Sequence, residues 1–304
     1  RDRFVFVPLL YELMSGELKG WEVAPDYASL LQGHGISHLQ DRAGSIDLDA
    51  RCVTTASGRA LQYSQLVIAT GAQPEDFGIQ GVRDNALNFH TLSDLQPLQE
   101  RVQELRRRPS GTSSLVIAGA GATGVELACK LVDMLNGAAK VQLVELGDQI
   151  LPRSKAFNRE QAEKALKKRG VTVHLNTRVE SVTATSVMLS GAQGSSQQHH
   201  DGLIWTAGSR PSIPDISPKL ELHQGRLPVT ESLRLQGYPE VLALGDIAVN
   251  PDADELSSWP HSAQTAIQQG QFAAKELKAK LQNNDVNTFV FNDLGEMLSL
   301  GIGD

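Results

Sequence analysis

The sequence predicts an α/β protein built around parallel sheet, and three observations carry that reading. From Ser114 onward, apolar strand-like runs alternate with stretches of helical periodicity. A GxGxxG spacing falls where one of those strands meets a helix. Apolar runs also meet glycine turns repeatedly, at Gly71, Gly119, Gly208 and Gly245. Strand–helix alternation of this kind is what a parallel sheet covered by helices requires.

The chain has 304 residues, which at roughly 150 residues per domain suggests about two domains. A hydrophobic content of 40% supports a packed core rather than a disordered chain. With 28 Lys+Arg against 35 Asp+Glu, the net charge is −7. That balance, with no long basic run, excludes a nucleic-acid footprint. The short cluster Arg106–Arg108 reads as a solvated helix end. Aromatic residues at 5% are too sparse for a base-stacking surface. Cys52 and Cys129 lie 77 positions apart and form no CxxC, which excludes a zinc ribbon and a redox-active dithiol. Two lone cysteines fit a reducing compartment. No apolar run reaches the ~18 residues that span a bilayer. The chain opens Arg1-Asp2-Arg3 and closes Gly301-Ile302-Gly303-Asp304. It is expected to be an internal piece of a longer protein, with any targeting peptide or anchor outside it.

Taken in order, Val5–Leu13 reads as a buried segment after a strand end, and Tyr27–Gln32 as a short helix closed by Gly33 and Gly35. Short strands are expected at Ile36–Leu39, Ser45–Leu48, Cys52–Thr55 and Leu66–Thr70, with Ser57-Gly58 as a turn. Leu66–Ala69 is continuously apolar, as a strand buried on both faces would be. Leu92–Arg108 has helical spacing, with Ser93-Asp94 able to cap its start. Pro109-Ser110-Gly111 is the first candidate domain boundary. Beyond it, strands are expected at Leu115–Ala118, Val141–Glu145, Val171–Leu175 and Leu203–Thr206, and helices at Val125–Leu135 and Phe157–Arg169. Residues 178–189 look like a small antiparallel insertion, and Gly191–His200, rich in Ser and Gln, like a loose hairpin tip. The proline-bearing stretch Ser209–Gly237 reads as a crossover between domains. Val241–Leu244 is a buried strand. Ala263–Leu277 is helical, with Ala263, Ala266, Ile267, Gly270, Ala273, Ala274 and Leu277 on one face.

The strongest site is Leu115-Val-Ile-Ala-Gly119-Ala-Gly121-Ala-Thr-Gly124-Val-Glu126. GxGxxG alone is a weak pattern, but here it follows a strand and opens a helix, the context the motif requires. Gly119 permits the tight turn, Gly121 lets backbone approach a pyrophosphate, and Gly124 allows close helix–strand packing. The diphosphate would sit on unpaired amides at the positive helix end. Glu145 ends the next strand, 21 residues past Gly124. Its carboxylate can accept from both ribose hydroxyls of NAD and would repel the 2′-phosphate of NADP. A second site is Val241-Leu-Ala-Leu-Gly245-Asp246, where a carboxylate at a buried strand end suits a hydroxyl-rich ligand chain or, equally, a helix cap. In the third, Gln264 and Gln268 stand at i,i+4 and present two amides on one face, which suits a carbonyl or a plain polar surface. Glu126, two residues past Gly124, is either close to a nicotinamide or an ordinary helix-start acid. His199-His200 reads as a solvated loop, and Cys129 as a core residue.

Together these motifs resemble the two-dinucleotide-domain flavoprotein reductases, and more narrowly the type II NAD(P)H:quinone oxidoreductases. The matching residues are Pro8-Leu-Leu-Tyr-Glu12, Leu66–Gly71, Gly119–Glu126, Ile204-Trp-Thr-Ala-Gly208, Leu244-Gly-Asp246 and Ala263-Gln264-x-Ala266-x-Gln268. Trp21–Pro25 and Leu294–Leu298 resemble the chloroplast and cyanobacterial C1-type branch, associated with prenylated naphthoquinone (demethylphylloquinone-type) and plastoquinone rings. The resemblance implies an FAD domain, residues 1–108 and 236–304, interrupted by an NAD(P)H domain at 111–235. The family's N-terminal FAD GxGxxG has no counterpart here, so the FAD domain is expected to be truncated. Pro8, Thr70, Gly71, Gly245, Asp246 and Ala263 would line FAD or its quinone side. Gly119, Gly121, Gly124 and Glu145 would hold NADH, Glu126, Ala207 and Gly208 would flank the nicotinamide, and Gln264 and Gln268 would face the quinone, with Leu9 nearby. His261 stands where the family has a small hydroxyl residue and would add a proton donor there.

The implied reaction is hydride transfer from NAD(P)H to FAD, then two-electron reduction of a quinone. The implied setting is a chloroplast membrane or plastoglobule, or the cytoplasmic side of a cyanobacterial membrane, reached by peripheral contact through segments outside this chain. A homodimer is an assembly the resemblance allows. Two alternatives stand beside this reading. One is a reductase of a protein acceptor such as ferredoxin or rubredoxin, which a basic docking patch would favour. The other is a non-catalytic NAD-binding redox sensor, which the missing first FAD motif favours.

Overall fold

The computed structural model describes residues 2–253, 258–282, 284 and 288–303. It divides into two compact units. One comprises Ser37–Gln73 and Ser209–Gly295; the other comprises Asp2–Ile36, Pro74–Gly208 and the residues from Glu296 on.

The second unit is built on a five-stranded parallel sheet in the order Leu87–Asn88, Gly202–Trp205, Ser113–Ala118, Ala139–Val144, Thr172–His174. Its middle strands show no apolar–polar alternation because both faces are covered. Leu115 and Ile117 point to one side and join a core with Leu98, Val102 and Leu105 of helix Leu92–Arg106 and with Leu127 and Leu131 of helix Ala122–Leu135. Val116 and Ala118 point to the other side and pack with Val179, Val182, Val187 and Leu189. Those four belong to a three-stranded antiparallel sheet, Arg178–Val182, Ser186–Gly191 and Gly194–His199. The period of two along a single strand therefore supplies a helical layer and a sheet layer at once.

Several expectations differ from the structure. Residues 2–36 and 74–108 group with the second unit, while 209–235 group with the first. The reason is packing: Leu10, Tyr11, Met14 and Val23 share a core with the Leu92–Arg106 helix. The 191–200 run is not a loose tip but a strand paired from Gly191↔Gly194 to Ser186↔His199. An outer strand needs only backbone pairing, so its Ser and Gln side chains can face water. Ile36–Leu39 forms no strand, and both named residues are exposed. Val7–Leu9 is a 3₁₀ turn leading into helix Leu10–Ser15. The Arg106–Arg108 cluster is not simply solvated, since Arg108 pairs with Glu104 and Asp201.

The first unit holds a three-stranded sheet, Arg234–Leu235, Tyr238–Ala243, Leu66–Ile68. Tyr238–Ala243 runs parallel to Leu66–Ile68, with Val241 opposite Leu66 and Ala243 opposite Ile68. Leu66–Ile68 is an outer strand here, so Val67 is exposed rather than buried on both faces. A four-stranded sheet adds Asp215–Ser217, Ala43–Asp47, Cys52–Thr55 and Ala60–Gln62.

The unit's long helix is Ala263–Leu281. Its buried stripe is Thr265, Gln269, Ala273 and Glu276, and the expected apolar face is largely exposed, Ile267 included. Specific polar partners decide which face turns inward. Glu276 accepts from Arg234 Nε at 2.9 Å, and Gln269 Oε1 accepts from Gly245 N at 2.7 Å. No helix is long and apolar enough to cross a membrane among the described residues.

Candidate functional site

The glycine corner lies at the C-terminal ends of parallel strands, where ligands of open α/β sheets bind. Ser113–Ala118 ends, Gly119 turns at φ +104°, and Gly121 is the extended N-cap of helix Ala122–Leu135. A Cβ on Gly119 would stand 2.8 Å from Ala207 N. One on Gly124 would stand 1.8 Å from Gly119 O and 2.9 Å from Thr206 Oγ1. These two positions are closed to any side chain. A Cβ on Gly121 would meet nothing within 4 Å. The space in front of Gly121 is therefore open, where first-turn amides and the helix dipole present positive potential.

Glu145 follows the neighbouring strand Ala139–Val144 and turns back onto this corner. Its Oε2 accepts from Ala120 N at 2.7 Å and its Oε1 from Gly147 N at 2.8 Å. Each oxygen keeps a second lone pair for a hydroxyl. On the other side, Thr206 Oγ1 donates to Ala118 O at 2.9 Å and Gly119 O at 3.0 Å. This ties Ala207 and Gly208 to the corner. Gly208, at φ +71°, has no room for a Cβ against the Phe77 ring. Thr206 was not singled out from the sequence; a hydroxyl directly after a buried strand was its only signal.

Glu126 lies half-buried in the second turn of the same helix. Its Oε1 accepts from Ser299 N at 2.8 Å. Burial raises its pKa above the ordinary 4.5, against the lowering pull of the Ser299 amide and the Tyr11 hydroxyl. Burial and the Glu126 carboxyl together push the Tyr11 phenol up as well. One turn on, Lys130 is buried and pairs with Glu12 at 3.4 Å and with Glu17. Against burial, the Lys130 ammonium, Ser15 hydroxyl and Gly303 amide hold Glu17 below the usual carboxylate range. Pro8 is exposed in the turn before Leu10–Ser15, with Leu9 half-buried beside it.

In the first unit, Thr70–Gly71 and Leu244–Asp246 lie side by side where two parallel strands end, since Leu244 N donates to Ile68 O at 3.0 Å. Gly71 and Gly245 both have positive φ, +66° and +71°. Gly71 faces open space, and a Cβ on Gly245 would meet Ala266 at 3.4 Å. Gln269, invisible as a site residue in the sequence, fixes this turn through the Gly245 amide. Ala263 is the first residue of the long helix, capped by Ser262 Oγ, which accepts from Thr265 N at 3.2 Å. His261 is exposed just before that cap.

Gln264 and Gln268 are brought together as expected on one helical face, but both are engaged by backbone. Gln264 Nε2 donates to Gly295 O at 3.2 Å and its Oε1 accepts from Leu294 N at 3.2 Å. Gln268 Nε2 donates to Asn292 O at 2.8 Å and its Oε1 accepts from Asn292 N at 3.0 Å. Each amide keeps one free N–H for a further acceptor. His199 is exposed at a strand end, whereas His200 is buried and not solvated as the sequence suggested. Cys129 lies in the core.

A family profile described as pyridine nucleotide-disulphide oxidoreductase matches residues 2–270. Among characterised relatives, the demethylphylloquinone reductase NdbB of Synechocystis sp. is 35% identical, covering 99% of this chain and 76% of its own length. The alternative NAD(P)H-ubiquinone oxidoreductase C1 (chloroplastic/mitochondrial) of Arabidopsis thaliana is 31% identical, covering 99% of this chain and 64% of its own length. The fold matches NDH2 from Plasmodium falciparum, solved in complex with NADH, at a TM-score of 0.86 and 17% identity, over 99% of this chain and 82% of that one. The chain thus belongs to the pyridine nucleotide-disulphide oxidoreductase family, in the branch of the type II NADH:quinone oxidoreductases and the demethylphylloquinone reductase.

Proposed function

We propose that the protein is an FAD-dependent NAD(P)H:quinone oxidoreductase acting on a prenylated naphthoquinone or plastoquinone-type ring. One observation carries the reading. At Gly119–Gly124 two glycines are closed to any side chain while the third faces open space at a helix N-terminus. That arrangement fits a dinucleotide pyrophosphate.

When bound, FAD supplies the redox chemistry, accepting a hydride from NAD(P)H and passing two electrons to the quinone. The chain binds and orients. Amides at Gly121 and the first helical turn take the pyrophosphate, and Glu145 takes the ribose hydroxyls, which favours NADH. Ala207 and Gly208 bound the nicotinamide end, with the Glu126 carboxyl, its pKa raised by burial, near it. Thr70, Gly71 and the Gly245 turn fit the flavin by the same strand-end logic. Asp246 is half-buried with no hydrogen bond to its carboxylate among the described residues, so it is able to accept from a ribityl hydroxyl. The Ala263–Gln264 amides bring a positive helix end to that ligand. Gln264 and Gln268 shape the quinone side, directly through their free N–H groups and indirectly by holding 292–295. The names of the relatives support quinone as acceptor, and their sources support a chloroplast or cyanobacterial membrane as the location, with peripheral contact.

The test is anaerobic addition of NADH to the flavin-loaded protein. Bleaching of the flavin is expected, then recolouring on addition of a short-chain quinone. Flavin that bleaches but is not recoloured by quinone removes the acceptor from the proposal. Glu145→Gln should raise NADPH use relative to NADH, and an unchanged ratio would remove that role from Glu145.

A further inference from the structure

Helix Ala122–Leu135 carries a polar face as well as an apolar one. Glu126, Lys130 and Asp133 follow at helical spacing and so point one way. Lys130 is 1% exposed, rare for an ammonium, and the dinucleotide reading makes no use of it. Helix Leu10–Ser15 and the turn after it answer with carboxylates. Lys130 Nζ lies 3.4 Å from Glu12 Oε1 and pairs with Glu17. Residues 299–303 close the row from a third side. Ser299 N donates to Glu126 Oε1 at 2.8 Å and Ser299 Oγ to Glu12 Oε1 at 3.1 Å, so a single serine spans both carboxyls. The Tyr11 hydroxyl also hydrogen-bonds Glu126. Glu12 Oε2 is buried and meets no hydrogen-bond partner among the described residues. At the far end of the row, Asp133 is taken by Arg169 Nε at 2.9 Å and by Ile302 N at 2.9 Å.

We infer that Lys130 is a positioning residue for Glu126: its ammonium offsets the Glu12 carboxylate, so that Ser299 holds Glu12 and Glu126 side by side, and the balance of these charges decides when Glu126 ionises. The inference rests on the proposed placing of the nicotinamide beside Glu126. Like charges bridged by one serine repel each other in a buried setting, and a nearby cation relieves that repulsion. Glu17 has donors of its own, the Ser15 hydroxyl and Gly303 N at 2.9 Å, and lies nearer the surface. The field of Lys130 therefore falls chiefly on Glu12 and Glu126. Burial favours the protonated form of Glu126, the Glu12 carboxylate adds to that, and Lys130 opposes it. Removing the charge of Lys130 and removing that of Glu12 must then act in opposite directions. Groups that only fastened the elements together would weaken the fold in both variants, with no such opposition. The consequence for the reaction is electrostatic. A nicotinamide gains positive charge as it gives up hydride, and an ionised carboxylate beside it stabilises that charge.

The experiment follows two quantities against pH in the flavin-loaded protein. One is the carboxyl ¹³C shift of Glu126 in protein labelled at glutamate, the signal being identified by its loss in Glu126→Gln. The other is the rate at which NADH bleaches the flavin, expected to rise with pH as Glu126 ionises. Lys130→Met should move both midpoints to higher pH, with the proton bound about tenfold more tightly. Glu12→Gln should move both to lower pH, and the double variant should return close to wild type. A Glu126 midpoint that stays put, or moves the same way in both single variants, overturns the inference. If Lys130→Met does not fold, Glu12→Gln, which keeps the shape of the side chain, decides by the direction of its shift. Opposite shifts of the carboxyl signal with an unmoved bleaching profile leave the hold of Lys130 on Glu126 standing and overturn the placing of the nicotinamide beside it. Flavin that NADH does not bleach in the wild-type protein overturns the proposed function, while the carboxyl titration still decides the role of Lys130.

Discussion

One methyl group distinguishes the glycines of the corner. Gly124→Ala drives a Cβ into the Gly119 carbonyl, 1.8 Å away, so the helix must shift off the strand. Overpacking of this kind costs on the order of 1–3 kcal/mol or more, to be read as a lowered urea midpoint. Gly121→Ala meets no atom and has an ordinary φ of −70°, so its melt should stay within about 0.5 kcal/mol of wild type. Its NADH affinity should nevertheless fall about tenfold or more, ~1.4 kcal/mol, because the methyl enters the pyrophosphate space. Loss of stability in Gly121→Ala, or intact NADH binding, would contradict the corner as drawn. Glu126 makes a different prediction. Burial raises its pKa, so the stability it contributes is full below the ordinary 4.5 and is lost as pH rises through the raised value. Glu126→Gln should therefore gain stability relative to wild type as pH rises above that ordinary value, measured by thermal melts.

At the scale of elements, the Ala263–Leu281 helix is oriented by polar side chains rather than by its apolar ones. Arg234 and Glu276 are both buried. Removing one partner leaves an uncompensated buried charge, and Arg234→Met should cost about 3–5 kcal/mol in urea unfolding. The double variant Arg234→Met/Glu276→Leu should recover most of that loss, since a packed apolar pair avoids desolvating two charges. The same helix holds residues 292–295 through Gln264 and Gln268. Gln268→Ala should speed amide exchange at Asn292, and Gln264→Ala at Leu294, each by about two- to tenfold from the loss of one net hydrogen bond. Exchange that does not respond residue by residue would mean that other contacts hold the segment.

For the whole molecule, acid should act in two stages. His200 is buried, and burial lowers its pKa below 6.5 against the raising pull of the Ser186 and Thr183 backbone. The unfolded chain then takes up a proton first, so stability is lost as pH falls through 6.5. Asp133 and Asp201 follow lower down. Against burial, Arg169 and the Ile302 amide hold Asp133 low, and the Ser114 amide and Arg108 hold Asp201 low. Their stabilisation is present above the usual carboxylate value and disappears as pH falls through the depressed ones. His200→Phe should abolish the first stage of the pH–stability profile and leave the second.

What could be read from the chain alone was local. The glycine spacing, the apolar run of Leu115–Ala118, the i,i+4 glutamines and the end of the Glu145 strand all depend on neighbours a few residues away, where period and turn chemistry act. The inward face of Ala263–Leu281, the strand at Gly194–His199 and the grouping of residues 2–36 with the glycine corner came only with the folded chain. Each rests on partners distant in sequence: Arg234 lies 42 positions from Glu276, and Gln269 lies 24 from Gly245. A helix with apolar residues spread around it has no single face that burial must choose. Buried polar groups then choose it, because leaving them unpaired costs more than exposing a few methyl groups.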